Sequence, residues 1–573
     1  MNDLKKTFLA GFLVLLILLL TPYYLSLIGY ETQQEEQVSI QNTSKEEVLA
    51  VVKETELLRA EKQTKNTSSN NASSQKQTIQ IESSLYNAVW SNIGGGSFVD
   101  YSLISDGTNK YLGGYSSDGI YQDSANVSLL LNQNSLCAPC VGVVYSGAAI
   151  VLSQPFILKN NPYIKNNQKT VLGLEDSLII ETELIDPRFI INKKTVFFGN
   201  DFTSKHHVFV EDTQGGLEQV YLIWDKGLRN TEKNLYDDVQ TYSAAYISHN
   251  KEITDLWFAP TNITDTIEDI IISDTIDWAA VRNKYFIAAL IPYNAESASI
   301  ESVPYTFNQE AIVPSYSASV FSKESSLSAS MYLGPLDIDY INSLDTSLDR
   351  IMNFGWFIIQ PFSRGVLWLL KTMHSIGLNY GIILILFAFL IRIITGPLMK
   401  KSFESSQNMQ KVQPKLKKLQ EKYKNDSQRL NQEMVKLYKE EGVNPLGGCL
   451  PMLLQMPLLF SLFLVFRSTI EFRGAPFFGW ISNLAQPDTI FYLPFNIPIY
   501  GDQVAVLPIL LGVSMFLTQK MSMAAMDSQQ KPMMYIMSGF FFLLFNSFPS
   551  GLNLYYLVYN ILNYLQQRSL KQG

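Results

Sequence analysis

Five apolar runs fill the chain from Leu378 to Leu565 and decide which solvent that half folds in. They lie at Leu378 to Met399, Leu446 to Phe466, Val504 to Gln519, Met533 to Phe548 and Leu552 to Leu565. Stretches this apolar are candidate membrane spans, because a lipid core of about 30 Å offers backbone groups no water and leaves the helix as their one local solution. The last three are short. About 14 to 16 residues at 1.5 Å each reach only about 21 to 24 Å, so the bilayer is expected to thin around them. A sixth run, Phe8 to Leu20, follows Lys5 and Lys6 and ends at a boundary marked by Tyr23 and Tyr30. TPYYLSLIGY offers no small-residue cleavage site, so residues 1–30 read as an uncleaved signal-anchor helix.

Six spans put both termini on one side, and charge says which. The chain has 573 residues and a formal net charge of -8, but the acid excess sits in the polar half. Lys400 to Glu441 holds eleven Lys and Arg, whereas Glu471 to Asp502 holds only Arg473. Basic loops stay in the cytoplasm, so the segment 400–443, both termini and the tail at 568–573 are expected inside, and everything between the first two spans outside.

That exported region reads in three pieces. Residues 31–84 are rich in Gln, Asn, Ser, Thr, Glu and Lys with almost no aromatics, the composition of a tether. Residues 85–344 carry short β-branched and aromatic runs, KTVFFG, HHVFVED and QVYLIWD among them, separated by Gly, Asn, Asp and Pro; this predicts an all-β sandwich. The adjacent His206 and His207 should point to opposite faces of a strand and be structural. Gly94 to Ser97 lacks the spacing of a phosphate loop and reads as a turn. Cys137 and Cys140 form a C-x-x-C among strands, where a local structural disulfide is expected over disulfide exchange. Three cysteines and four histidines leave no material for a metal centre. Residues 345–377, with Trp356, Phe357, Trp368 and Leu369 beside Arg364 and Lys371, predict an amphipathic helix on the outer membrane face; a buried helix of the β-domain is the alternative.

The cytoplasmic segment 400–443 predicts two antiparallel helices. Met409, Val412, Leu416, Leu419 and Tyr423 keep helical spacing, KNDS at Lys424 to Ser427 interrupts it, and Leu430, Met434 and Leu437 resume it. Pro414 should kink or begin the first helix. Lipid headgroups, a ribosome and a nascent chain are all candidate partners for so basic a hairpin. Within 444–567, Asn444 can cap a helix that Pro445 opens. Pro451 and Pro457 break the hydrogen-bond ladder on either side of Gln455, which suits a wall facing water or substrate; kinked packing is the plain alternative.

Arg392, in LFAFLIRIITGPLMKK, concentrates the question. It lies eight residues before Lys400, about 12 Å from the cytoplasmic end of its span. The last five spans contain no Asp, Glu or His. A cation with no carboxylate to pair with implies a hydrated concavity on the cytoplasmic side, one that would attract an acidic or polar segment. The same absence removes the parts of an intramembrane hydrolase, and there is no G-x-x-x-x-G-K-[ST] motif for a nucleotide. No enzyme activity, cofactor or nucleic-acid recognition is expected.

IRIITGPL, MQKVQPKLKKLQEKY, EGVNPLGGCLPMLLQMP, LPILLGVSMFLTQKMS and FPSGLNLYYLVYNILNYLQQ, in this order, resemble the YidC family of membrane protein insertases in its Gram-negative form. WAAVRNKYFIAALIP resembles the end of that family's periplasmic supersandwich. The resemblance implies a polytopic α-helical protein of the bacterial inner membrane, with six transmembrane helices, five of them forming an insertase core, plus an all-β periplasmic domain. Arg392 would sit in a hydrophilic groove, with Gln455 and Gln519 assigned to the same groove. Leu459, Met515, Leu544, Tyr555 and Tyr556 fall where the family places a hydrophobic slide. Leu459 and Leu544 stand where several members have Phe, and Ala388 where they have a hydroxyl. The implied clients are nascent inner-membrane proteins, inserted alone or beside the Sec translocon. A solute channel or transporter with a periplasmic binding domain is the other reading. It would need polar residues through the whole membrane thickness or paired broken-helix repeats.

Overall fold

The computed structural model describes residues 75–572 except 106, 117–118, 132–136, 160–168, 226, 236, 259, 261–267, 308–310, 425, 444–449, 498–499 and 524–530. The anchor at 1–30, most of the tether, Asn444, Pro445 and Cys449 lie outside the described residues. The chain divides into two compact units, a β unit up to Met352 and a helical unit made chiefly of 353–468 and 472–573.

In the β unit, strands follow the two-residue alternation of the sequence. Phe189–Phe198 is the clearest, its odd-numbered residues buried and the others less so. It pairs antiparallel with Ser177–Asp186 on one side and Thr203–Asp212 on the other, inside a nine-stranded sheet. A six-stranded antiparallel sheet, centred on Ala311–Ser322 and Leu217–Trp224, packs against it. Trp90, Trp224, Trp278 and Tyr285 are fully buried in the unit. His206 and His207 do face opposite ways. His206 is buried with Nε2 on Ser204 Oγ at 2.9 Å, and the exposed His207 meets Ser328 Oγ at 2.9 Å.

The domain starts earlier than its composition suggested. Thr78–Glu82 is a strand, antiparallel to Tyr86–Ser91 and parallel to Lys169–Val171. Its two inward residues, Ile79 and Ile81, are buried, but they are too few to lift a Gln- and Ser-rich window out of the linker reading. Cys137 and Cys140 are disulfide-bonded. Beside them Gly94, Gly95 and Gly96 turn at φ of 66°, 81° and 123°, which L side chains resist. A Cβ on Gly96 would lie 2.3 Å from Trp90 Cζ2. The unit closes with a short helix α1, Ile338–Ser343, capped by Asp337.

The helical unit opens with α2, Gln360–His374, shorter than the expected 345–377. Gly355 at φ 89° and Pro361 in the first turn define that start, and Trp356 and Phe357 precede the helix. Val366, Leu367 and Leu370 face inward while Trp368 is 68% exposed. Helix α3, Tyr380–Lys422, is one continuous 43-residue helix through Pro397 and Pro414. The expected span 378–399 and the first hairpin helix are thus a single element, because each proline removes one hydrogen bond while the turns on either side hold. Helix α4, Ser427–Glu440, begins at Asp426, whose side chain accepts from Arg429 N at 3.0 Å. Helices α3 and α4 form a hairpin joined by a Lys415–Glu441 ion pair.

Helix α5 is Leu450–Ser468, α6 Val506–Met523, α7 Lys531–Phe545 and α8 Ser550–Gln572. Between α5 and α6 lies an unforeseen two-stranded hairpin, Thr489–Ile497 with Gly501–Ala505. Asn546 ties it down, donating to Tyr500 O at 2.8 Å and Gln503 O at 2.6 Å and accepting from Ala505 N at 3.2 Å. Asp488 Oδ2 accepts from Val506 N, Leu507 N and Trp480 Nε1 at 3.1, 2.8 and 2.9 Å, capping α6 from a distant part of the chain. Helix α8 runs past the expected Leu565, and the tail at 568–573 is helical as far as Gln572, since polar turns continue a helix without any hydropathy signal. Among the described residues one helix, Tyr380–Met409, is long and apolar enough to cross a membrane; Gln455–Ser468 and Val506–Lys520 are shorter apolar helices.

Lys193 gives the β unit a pH signature. It is 1% exposed, donates to Gly96 O at 3.1 Å, and burial lowers its pKa from 10.5 to about 7. Between those values the unfolded chain holds a proton that the folded chain does not. Stability therefore rises with pH from about 7 to about 10.5, at about 1.4 kcal/mol per unit, and is flat below. Lys193→Met should abolish that slope and raise stability at neutral pH, measured by urea unfolding of the full chain followed by near-ultraviolet circular dichroism; an unchanged slope would assign it to another group.

Candidate functional site: a buried guanidinium between two helices

Arg392 lies on the side of α3 that meets α8 and is 8% exposed. Tyr559, Asn563 and Gln566 follow one another at steps of four and three along α8, so their side chains share a face. That face receives the guanidinium. Nη2 donates to Asn563 Oδ1 at 3.0 Å and to Gln566 Oε1, and the Tyr559 ring centre lies 5.7 Å from the guanidinium carbon. Gln567 Nε2 donates to the same Asn563 oxygen at 3.4 Å. Among the described residues, Nε and Nη1 are buried without a hydrogen-bond partner. The cation is thus held by two neutral amides and the Tyr559 ring, with part of its donor capacity unspent among the described residues.

Next to it opens a cavity of about 510 Å³ lined by Arg392, Ile393, Gly396, Pro397, Lys400, Leu562 and Gln566. Two lining residues are cationic and none is acidic. Such a lining concentrates anions. It holds no nucleophile–base pair, and among the described residues no cluster of three His, Cys, Asp or Glu could hold a metal ion.

The remaining site residues fall elsewhere. Gln455 is half-buried on α5 and does not line this cavity. Gln519 accepts from Ser538 Oγ and so ties α6 to α7, instead of facing Arg392. Pro457 lies inside α5, and Pro451 is in that helix's first described turn. Leu459, Met515 and Leu544 are half-buried. Tyr555 and Tyr556, expected on the slide, are 0% and 5% exposed. Tyr555 packs on Phe387 of α3 with ring centres 5.5 Å apart, and Tyr556 on Phe545 of α7 at 6.0 Å. Periodicity marked α8 as apolar but not which of its faces meets α3 and α7. Asn563, Gln566, Tyr559 and Lys400 were missed. The recurrence of amides at Asn560, Asn563 and Gln566, within and just after the run Leu552 to Leu565, was the signal that could have found them, since polar residues inside a span rarely face lipid.

A helical core with a buried cation, carried on a chain with a large β-sandwich, is the build of an integral membrane protein with an extramembrane domain. Residues 371–572 match the family model described as 60Kd inner membrane protein, and residues 200–369 match that of the YidC periplasmic domain. The membrane protein insertase YidC of Chlorobium limicola is 39% identical over 414 residues, covering 70% of each chain. That of Chlorobium phaeovibrioides is 42% identical over 390 residues, 65% of each. A crystal structure of an active YidC insertase with its first transmembrane domain resolved aligns at 16% identity and TM-score 0.33, over 86% of this chain and 92% of that one. The chain belongs to the YidC family of membrane protein insertases.

The Tyr555 hydroxyl is buried without a hydrogen-bond partner among the described residues. Tyr555→Phe should therefore leave stability unchanged or raise it by about 1 kcal/mol, while Tyr555→Ala should cost about 3 to 5 kcal/mol. Thermal unfolding midpoints of the purified protein in detergent would show the two variants moving apart; equal losses would mean that the hydroxyl, not the ring, carries the contact.

Proposed function

We propose that this insertase works by offering a client's polar or acidic segment a cationic hollow within the membrane while the client's apolar segment moves directly into lipid. One observation carries the reading: Arg392 and Lys400 line a cavity with no carboxylate among its lining residues. A cation in a low-dielectric layer is costly unless water or an anion reaches it, so the site favours whatever brings negative charge. Leu459, Met515 and Leu544, half-buried on α5, α6 and α7, offer the apolar surface along which a client span leaves. Tyr555 and Tyr556 join that surface only when neighbouring helices part. Gln455 and Gln519, outside the lining of the described cavity, would meet a client only where the groove extends toward α5 and α6, and the prolines of α5 would keep its wall irregular.

Energy comes from partition. Burying one side of an apolar span of about 20 residues returns many kcal/mol at roughly 25 cal/mol per Å², and no nucleotide, cofactor or catalytic residue is required. The proposed topology has six spans in the bacterial inner membrane, both termini cytoplasmic, and the β unit periplasmic, with the expected domain limits shifted as described. Helices α6 and α7, of 18 and 15 residues, would extend only about 27 and 22 Å, which favours a thinned bilayer at the exit. The α3–α4 hairpin, rich in lysine, would meet anionic lipid, a ribosome or the nascent chain, and Sec translocon association is a further proposed route. A solute channel would need polar lining across the whole membrane. The described lining on α3 runs only from Arg392 to Lys400, about 12 Å of helix.

With a single-span client bearing an acidic tail, Arg392→Ala should cut insertion into proteoliposomes at least about tenfold, equal to roughly 1.4 kcal/mol, and Arg392→Lys should restore part of it. Protease protection of the tail provides the measurement. Full insertion of every client by Arg392→Ala would end this reading.

A further inference from the structure

The two amides on Arg392 Nη2 are not equivalent. Asn563 is 8% exposed, does not line the cavity, and is itself engaged by Gln567 Nε2 at 3.4 Å, so its carbonyl oxygen is fixed between the helices. Gln566 is half-buried, lines the cavity beside Arg392 and Lys400, and reaches Nη2 from that side. An amide oxygen and a carboxylate oxygen accept from a guanidinium in the same way, but the carboxylate brings charge and makes the stronger bond.

On the footing that Arg392 receives client carboxylates, we propose that Gln566 is a displaceable stand-in: its Oε1 occupies, on Nη2, the place of a client's carboxylate oxygen and is exchanged for it when an acidic segment enters, while Asn563 stays as the fixed positioning partner. The resting protein gains from such an occupant, since among the described residues Nε and Nη1 are already without hydrogen-bond partners and losing one of the two acceptors on Nη2 would raise the cost of keeping the charge buried. The occupant must also be neutral. A carboxylate at this position would pair with Arg392 permanently, whereas an amide is outcompeted by an anion that Lys400 helps draw in. Gln566 therefore sets a threshold. Neutral polar segments gain nothing by replacing one amide with another, and acidic segments exchange a neutral bond for a charge-assisted one. This makes Gln566 a specificity-determining residue for the acidity of the client.

The test uses the purified full-length protein in proteoliposomes. The clients are a single-span protein with an acidic tail and its twin with Asp and Glu changed to Asn and Gln, and the readout is the ratio of their insertion rates by protease protection. Gln566→Glu, nearly isosteric, should lower the acidic-to-neutral ratio by about tenfold, the worth of one charge-assisted bond. Gln566→Ala, which removes the competitor, should raise it, and this opposite sign is one that mere loss of packing would not produce. If Gln566→Glu inserts neither client, the Gln566→Ala ratio decides alone. An Arg392→Ala ratio below wild type together with wild-type ratios for both Gln566 variants would overturn the stand-in and leave the arginine reading intact. A wild-type ratio for Arg392→Ala would overturn both.

Discussion

A positive charge lodged between two helices of a lipid-facing bundle, held by two neutral amides and a tyrosine ring, is the constraint around which the helical unit is arranged. The guanidinium of Arg392 demands that α8 lie against α3 in one rotational setting, with Asn563 and Gln566 turned toward it. Tyr555 against Phe387 extends that contact one step along the seam. The other end of α8 is held by polar contacts as well. Asn553 Nδ2 donates to Phe545 O at 3.1 Å and Phe548 O at 3.3 Å, and Ser550 Oγ donates to Asn483 O at 2.9 Å. Helix association in lipid gains little from apolar burial, so polar bonds and close approach carry it. Gly551 supplies such an approach, since a Cβ there would lie 2.4 Å from Phe466 Cε1.

The β unit contains a second buried arginine, and the comparison explains what distinguishes Arg392. Arg282, 4% exposed, donates through Nε to Asn283 O at 3.0 Å, through Nη1 to Ile351 O at 2.6 Å and through Nη2 to Lys284 O at 3.0 Å. Every guanidinium nitrogen has a backbone carbonyl, and the residue acts as a rivet. In Arg392, Nη2 holds both amides, the Tyr559 ring lies 5.7 Å from the guanidinium carbon, and among the described residues Nε and Nη1 have no hydrogen-bond acceptor. The same side chain, equally hidden, has its donors used up in one place and not in the other, and the client-binding role proposed for Arg392 rests on that difference.

Much of the architecture was legible because it follows from solvent. Alternation in KTVFFG and HHVFVED does give paired strands, and the gap at KNDS does separate two helices. What composition obscured was short or polar: the strand Thr78–Glu82 with its two buried isoleucines, the hairpin from Thr489 to Ala505, and the last turns of α8. Prolines misled in the other direction. Pro414 was expected to kink or begin a helix, yet α3 continues through it as it does through Pro397, because losing one hydrogen bond does not end a helix supported on each side.

The candidate site divides along the same line. Arg392, its distance from the lysine-rich end of the span, and the lack of acidic residues in the apolar runs are properties of the chain itself, and they already implied an anion-seeking hollow. Which residues hold the guanidinium, that Gln519 serves Ser538 instead, and that Tyr555 and Tyr556 are turned inward were decided by how helices far apart in sequence rotate against one another. Hydropathy records whether a segment prefers lipid, which is a sum over its residues. It does not record which side of a helix meets a neighbour, because that depends on the partner's shape and polar groups, and these come together only in the folded protein.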